Sequence, residues 1–266
     1  MASPFREIAG KSVHLIDMNP NGPRPLIMIH GLFTSLALWY HIIAPKLAEK
    51  RRVILYDLRG HGQSEATDGP FGLETLFGDL RELMAALELP RVSLAGYSFG
   101  GALALYAALT RPEMVERLAL VDAPIFSERS FDRFAAPPSG EGGRMSEAQA
   151  EEAFRQSLAD YGRSLRATVS GKAADGSRER FKWLFLEGGL EEAFRRGRVF
   201  FENAPFEEIK APTLLLYGLR SPYRATGRLL AGRIPESSLK IAWADHNLPV
   251  TRAAWTGRHL CRFYRF

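Results

Sequence analysis

Uninterrupted apolar runs alternate along this chain with segments whose apolar residues recur every three to four positions. Leu26-Ile27-Met28-Ile29, Val53-Ile54-Leu55 and Leu214-Leu215-Leu216 are continuous runs, as strands covered on both faces read. Leu73, Leu76, Phe77, Leu80, Leu83, Met84 and Leu87 follow the helical period, and Pro90 stops that helix. The pattern predicts two short opening strands over Phe5–Gly10 and Ser12–Met18, then a turn at Asn19-Pro20-Asn21-Gly22-Pro23. Further strands are predicted over Pro25–His30, Arg52–Tyr56, Val92–Ala95, Leu118–Val121, Pro212–Tyr217 and Ser238–Trp243. Helices are predicted over Ala37–Lys50, Leu73–Leu89, Phe99–Thr110, Tyr223–Ile234 and Val250–Phe263. Strand and helix in alternation at this spacing imply parallel βαβ units, with helices on both faces of one sheet.

The alternation stops near Pro124 and resumes at Pro212. Between them, Phe126–Phe206 carries no convincing strand. It opens on the loop sequence Pro137-Pro138-Ser139-Gly140-Glu141-Gly142-Gly143 and then reads as helices, Glu147–Gly162 and Leu190–Glu202 among them. The expected organisation is one α/β core domain, 1–124 and 207–266, with a helical lid inserted at 125–206.

Composition narrows the function classes. A chain of 266 residues, 46% hydrophobic and 24% charged, is globular and neither disordered nor fibrous. No apolar run approaches the roughly 18 residues of a membrane span, and the first residues lack the apolar core of a secretory signal. The single cysteine, Cys261, allows no internal disulfide and no cysteine metal cage. It reads as a small hydrophobe of the last helix. A cytoplasmic location is expected. The net charge of +5 comes from scattered arginines, so no nucleic-acid partner is expected.

Gly96-Tyr97-Ser98-Phe99-Gly100-Gly101 falls between a strand and a helix. This is the context that a G-x-S-x-G nucleophile elbow demands, with Ser98 held proud of the sheet on a tight turn. The helix start behind Ser98 supplies positive potential where an oxyanion would develop. His30-Gly31-Leu32 ends the strand over Pro25–His30, and the amides of Leu32 and Phe99 are the expected oxyanion hole. His30 itself reads as structural. Of six histidines, His246 and His259 follow the last predicted strand; His259 falls in the terminal amphipathic helix, and only His246 has the right place in the Ser…acid…His order.

With Asp57-Leu58-Arg59-Gly60-His61-Gly62-Gln63-Ser64 added, three motifs stand in one order, and the chain resembles the α/β-hydrolase fold superfamily, in its serine-nucleophile, lid-bearing branch. The resemblance implies a mostly parallel eight-stranded sheet, helices on both faces and an inserted helical lid. It also implies an architectural role for Asp57–Ser64. Asp245-His246-Asn247-Leu248-Pro249 resembles the family's Gly-His-x-x-Pro, with Asp245 where Gly usually stands. The usual acid is missing: the family's Gly-x-x-Asp-Pro reads Gly218-Leu219-Arg220-Ser221-Pro222 here. Asp122, one strand earlier, is the expected acid of the triad. A dyad supported by Ser221 or water, with Ser221 orienting His246, is the alternative, and a lid carboxylate such as Asp160 another.

The expected activity is acyl transfer to water: cleavage of an ester, thioester or lactone of a small molecule through an acyl-enzyme on Ser98. The aromatic residues of the middle segment, Phe154, Trp183, Phe185, Phe194, Phe200 and Phe201, divide between core and an apolar acyl or aromatic pocket. No cofactor and no metal is expected. A serine at the elbow argues against dehalogenase or epoxide hydrolase chemistry, where the family places Asp. Acyltransferase or C–C bond hydrolase activity on the same site remains open, as does a catalytically vestigial ligand-binding protein on the hydrolase scaffold.

Overall fold

A computed structural model describes residues 4–66, 70–126, 152, 182–184 and 188–265. Its eight strands are β1 Phe5–Ile8, β2 Lys11–Met18, β3 Leu26–Ile29, β4 Val53–Tyr56, β5 Val92–Tyr97, β6 Val115–Val121, β7 Thr213–Gly218 and β8 Ser237–Ala242. They form one sheet in the order β1-β2-β4-β3-β5-β6-β7-β8. β1 and β2 join antiparallel at one edge, and β3 to β8 all run parallel. From β3 the chain steps to β4 on one side and then to β5 on the other. This reversal opens a crevice above the carboxyl ends of β3 and β5, where open α/β sheets bind ligands.

The described helices of four residues or more are α1 Ala37–Tyr40, α2 Ala44–Ala48, α3 Leu73–Ala86, α4 Phe99–Thr110, α5 Leu190–Glu202, α6 Arg224–Arg233, α7 Leu248–Thr251 and α8 Ala253–Phe263. Side chains alternate across a strand, so β3 feeds two cores. Ile27 and Ile29 belong to the core that α3, α4, α5 and α6 line with Leu76, Leu103, Phe194 and Leu230. Leu26 and Met28 meet α1, α2 and α8 through Trp39, Leu47 and Leu260. Each fully buried aliphatic side chain of this kind contributes roughly 1.5–3 kcal/mol. α4 is buried on all sides from Phe99 to Ala108, which explains why its sequence is apolar throughout.

Two predicted helices are broken. Ala37–Lys50 is two short helices, because Pro45 at the start of α2 lacks the amide that a continuous helix needs. Val250–Phe263 divides at Arg252, whose φ of −131° and ψ of 37° leave the helical region. β5 runs on to Tyr97 because Gly96 and Tyr97 stay paired with Leu120 and Val121.

In the inserted segment, Leu190–Glu202 is the predicted helix. The predicted helix Glu147–Gly162, the loop Ser139–Gly143, Phe154 and Phe185 lie outside the described residues, Glu152 apart. Where the segment is described it packs on the sheet domain. The amide of Phe71 donates to Gly188 O at 2.6 Å. Phe194 and Phe201 are buried against Phe126, so both belong to the core. No described helix is long and apolar enough to cross a membrane. Cys261 is half-buried and packs beside α2, and burial pushes its thiol pKa up.

Candidate active site

Ser98 sits between β5 and α4 with φ 51° and ψ −123°, a strained backbone for a residue with a side chain. Glycines make the turn possible. A Cβ on Gly96 would run into Gly100 O, and one on Gly100 into His30 O. The amide of Ser98 donates to Val121 O at 3.0 Å, tying the elbow to β6.

β6 ends one residue before Asp122. The Asp122 amide donates to Leu216 O at 2.8 Å, and its side chain is fully buried. His246 arrives on the loop after β8. Its Nδ1 lies 2.7 Å from Asp122 Oδ2 and its Nε2 lies 3.0 Å from Ser98 Oγ. The three side chains expected of a triad are therefore in line, from three separate strand ends. With Nδ1–H donating to the carboxylate, Nε2 is the acceptor for the serine proton.

Loop Gly218–Tyr223 closes over the acid. The amide of Gly218 donates to Asp122 Oδ1 at 2.8 Å, and the Ser221 hydroxyl bonds Asp122 Oδ2. Ser221 therefore meets the carboxylate and not the imidazole, so any orienting of His246 by Ser221 runs through Asp122. Close approach shapes this corner too: a Cβ on Gly218 would lie 2.5 Å from Asp245 O. Behind the acid, Tyr217 donates to Ala123 O at 2.8 Å. Burial, and then the charge of Asp122, holds that phenol well above its ordinary pKa. Asp160 lies outside the described residues.

Two tyrosines flank the imidazole. Tyr97 stacks on it at 5.2 Å with an interplanar angle of 27°. Tyr223 meets it edge-on at 4.9 Å. Neither was expected from the sequence. The only available signals were that Tyr97 directly precedes Ser98 and that Tyr223 closes the Ser221 turn.

The expected oxyanion donors lie on two segments that border Ser98. Phe99 opens α4, where an amide has no intrahelical partner. A Cβ on Gly31 would fall 3.1 Å from Ser98 Cβ, so the Gly31–Leu32 peptide borders the serine. Its carbonyl is pinned away from the site. Gly31 O accepts from Thr34 Oγ1 at 2.8 Å, from the Thr34 amide at 3.3 Å and from His30 Nδ1 at 2.8 Å. A trans peptide points its N–H opposite its C=O, so these donors fix the direction of the Leu32 amide.

The Asp57–Ser64 stretch anchors the same loop from below. Asp57 is buried. It accepts from the Leu36 amide at 2.7 Å, the Gln63 amide at 2.9 Å and His14 Nδ1 at 2.7 Å. No group of three or more potential metal-ligating side chains occurs among the described residues.

Comparison with known proteins agrees with this architecture. Over 113 residues, 42% of this chain, it is 37% identical to a soluble epoxide hydrolase of Corynebacterium sp. (strain C12), covering 39% of that protein. Over 102 residues, 37% of the chain, it is 38% identical to a 2-hydroxy-6-oxo-2,4-heptadienoate hydrolase of Pseudomonas putida, covering 37% of that protein. The chain spans about a third of the length of the curated relatives it matches. Among solved structures, an esterase from Exiguobacterium antarcticum superposes over 100% of both chains with a TM-score of 0.74 at 20% identity. An enol-lactonase from Burkholderia xenovorans LB400 superposes over 99% of this chain and 100% of its own, with a TM-score of 0.69 at 23% identity. The family model described as the alpha/beta hydrolase fold matches residues 24–252, and the chain belongs to that family.

Proposed function

We propose that the protein is a serine hydrolase that cleaves a carboxylic ester, thioester or lactone of an apolar small molecule. One observation carries the reading: Ser98 Oγ, His246 and Asp122 form a continuous hydrogen-bonded line, at 3.0 and 2.7 Å. Ser98 attacks the carbonyl while Nε2 of His246 takes its proton. The Leu32 and Phe99 amides hold the oxyanion as it forms. His246 then gives the proton to the leaving group, and water repeats the sequence on the acyl-enzyme. Asp122 stays ionised and stabilises the imidazolium. Residues 125–206 act as the lid and select the acyl group.

C–C bond cleavage is the second reading, favoured by the similarity to the Pseudomonas putida heptadienoate hydrolase. The test is labelling with a fluorophosphonate probe, followed by a panel of 4-nitrophenyl esters and a vinylogous 1,5-diketone acid. Wild type is expected to label and to turn over esters, and Ser98→Ala to do neither. Labelling without ester turnover, but with cleavage of the diketone, would favour the second reading. Equal labelling of wild type and Ser98→Ala would overturn both.

A further inference from the structure

We propose that Ser221 is a positioning residue of this site: its hydroxyl holds the Asp122 carboxylate in place and takes up part of the charge that would otherwise fall on His246. This rests on the reading of Ser98, His246 and Asp122 given above.

The direction of each bond follows from what the atoms can do. An ionised carboxylate only accepts, and a serine hydroxyl has one proton to give. The amide of Tyr223 donates to Ser221 Oγ at 3.0 Å, so that oxygen is occupied as an acceptor. Its own proton goes to Asp122 Oδ2. Oδ2 is the oxygen that His246 Nδ1 meets at 2.7 Å, while Oδ1 takes the Gly218 amide. Two donors therefore compete for one oxygen. Ser221 is buried, as is the carboxylate, and water does not screen the competition.

Other described groups around the pair have contacts of their own. Tyr217 donates to Ala123 O. Tyr97 donates to Asn247 Oδ1 at 3.3 Å. Tyr223 presents its ring edge to His246. Asp245 accepts from the Asn247 amide at 3.0 Å.

A hydrogen bond to a carboxylate stabilises its charge and weakens its hold on a neighbouring cation. With Ser221 in place, Oδ2 divides its hold between two donors. Without it, Oδ2 serves His246 alone and the imidazolium gains.

The experiment is the pH profile of kcat/KM on a 4-nitrophenyl ester for wild type, Ser221→Ala, Ser221→Thr and Asp122→Asn. The His246 Nδ1 proton resonance is followed in parallel as a readout independent of turnover. Ser221→Ala is expected to move the acid limb, and the resonance midpoint, upward by roughly 0.5–1 pH unit. Its plateau rate should fall by about two- to tenfold. Ser221→Thr keeps the hydroxyl and is expected to return the midpoint toward wild type. Loss of rate with both midpoints unmoved in Ser221→Ala would reduce Ser221 to a packing residue and overturn the proposal. Failure of the underlying reading looks different: Asp122→Asn would then keep near wild-type activity. If Ser221→Ala fails to fold, the choice falls to Ser221→Thr and Ser221→Cys. A midpoint higher in the cysteine variant, a weaker donor, than in the threonine variant supports the proposal, and equal midpoints overturn it.

Discussion

The amide of Leu58 donates to Nε2 of His30 at 3.0 Å, and this bond decides which nitrogen of a buried ring carries the proton. With Nε2 accepting, Nδ1 donates, and its partner is Gly31 O. A histidine outside the expected triad thus reaches the oxyanion loop through its tautomer. His30→Ala is expected to lower kcat by roughly ten- to a hundredfold, the scale of a misplaced oxyanion donor. KM should change little, and fluorophosphonate labelling should slow without being lost. Unchanged kcat in a folded His30→Ala protein would remove His30 from the site.

Asp122→Asn is expected to lower kcat/KM by a factor on the order of 10⁴, since the amide neither stabilises imidazolium nor enforces the tautomer. Both Ser221 Oγ and His246 Nδ1 reach the same carboxylate oxygen, so an acid at position 221 would stand beside the imidazole. Asp122→Asn with Ser221→Asp is therefore expected to recover at least tenfold of that loss. Ser221→Asp alone sets two carboxylates side by side, which cannot both ionise cheaply. That single variant should be slower than wild type at neutral pH. Steady-state rates of the four proteins settle the comparison.

Asp57→Ala leaves the buried amide of Leu36, the part-buried amide of Gln63 and the ring of His14 without the carboxylate they share. Each buried donor left unsatisfied costs roughly 1–3 kcal/mol, so losing the partner of the Leu36 amide and of His14 costs about 2–6 kcal/mol. For a chain of this size that is a fall in Tm of about 10 °C. Thermal unfolding of the purified variant checks this, and a Tm within about 2 °C of wild type would count against the network.

His259 gives a pH dependence of stability. Its ring lies 4.3 Å from Trp255. Burial, and then the charges of Lys240, Arg262 and Arg258, hold its pKa below the ordinary value of 6.5. Above that value neither the folded nor the unfolded chain is protonated there, and nothing changes. As pH falls through about 6.5 the unfolded chain takes up the proton first, so stability drops until the lower folded pKa is passed. Urea midpoints at about pH 7.5 and about pH 5.5 should diverge less for His259→Gln than for wild type. Equal divergence in the two proteins would exclude His259 as the cause.

Much of this was legible in the sequence, because the signals were local. The buried strands read as apolar runs, and Ser98 and His246 read from their places relative to strand ends. Asp122 was legible only through the family resemblance, as the alternative acid one strand earlier, and its bond to His246 spans 124 positions. Ser221 was placed in the right neighbourhood with the wrong immediate partner, since nothing in a sequence distinguishes a hydroxyl aimed at an imidazole from one aimed at the acid behind it. The tyrosines around His246 were missed for the same reason. Ring stacking between Tyr97 and a residue after β8 is a tertiary fact, set by how β5 and the His246 loop meet at the sheet end. The break in the helix predicted over Ala37–Lys50 could have been read from Pro45.

Asp122 and Gly218 are 96 positions apart, yet they are joined by a 2.8 Å hydrogen bond, and the Asp122 amide also reaches Leu216 O. The chain leaves the sheet at the end of β6 and re-enters it at Thr213, and β6 and β7 lie side by side in parallel register, with Leu118 opposite Thr213. That pairing fixes β6 against β7 whatever the length of chain between them, and lengthening a flexible connection costs only about 0.6 kcal/mol for each doubling. The stretch between them is thus open to exchange among related sequences, or in the laboratory, while the acid keeps its distance from the base. The chain between the two strands can therefore change while Asp122 stays bonded to the carboxyl end of β7.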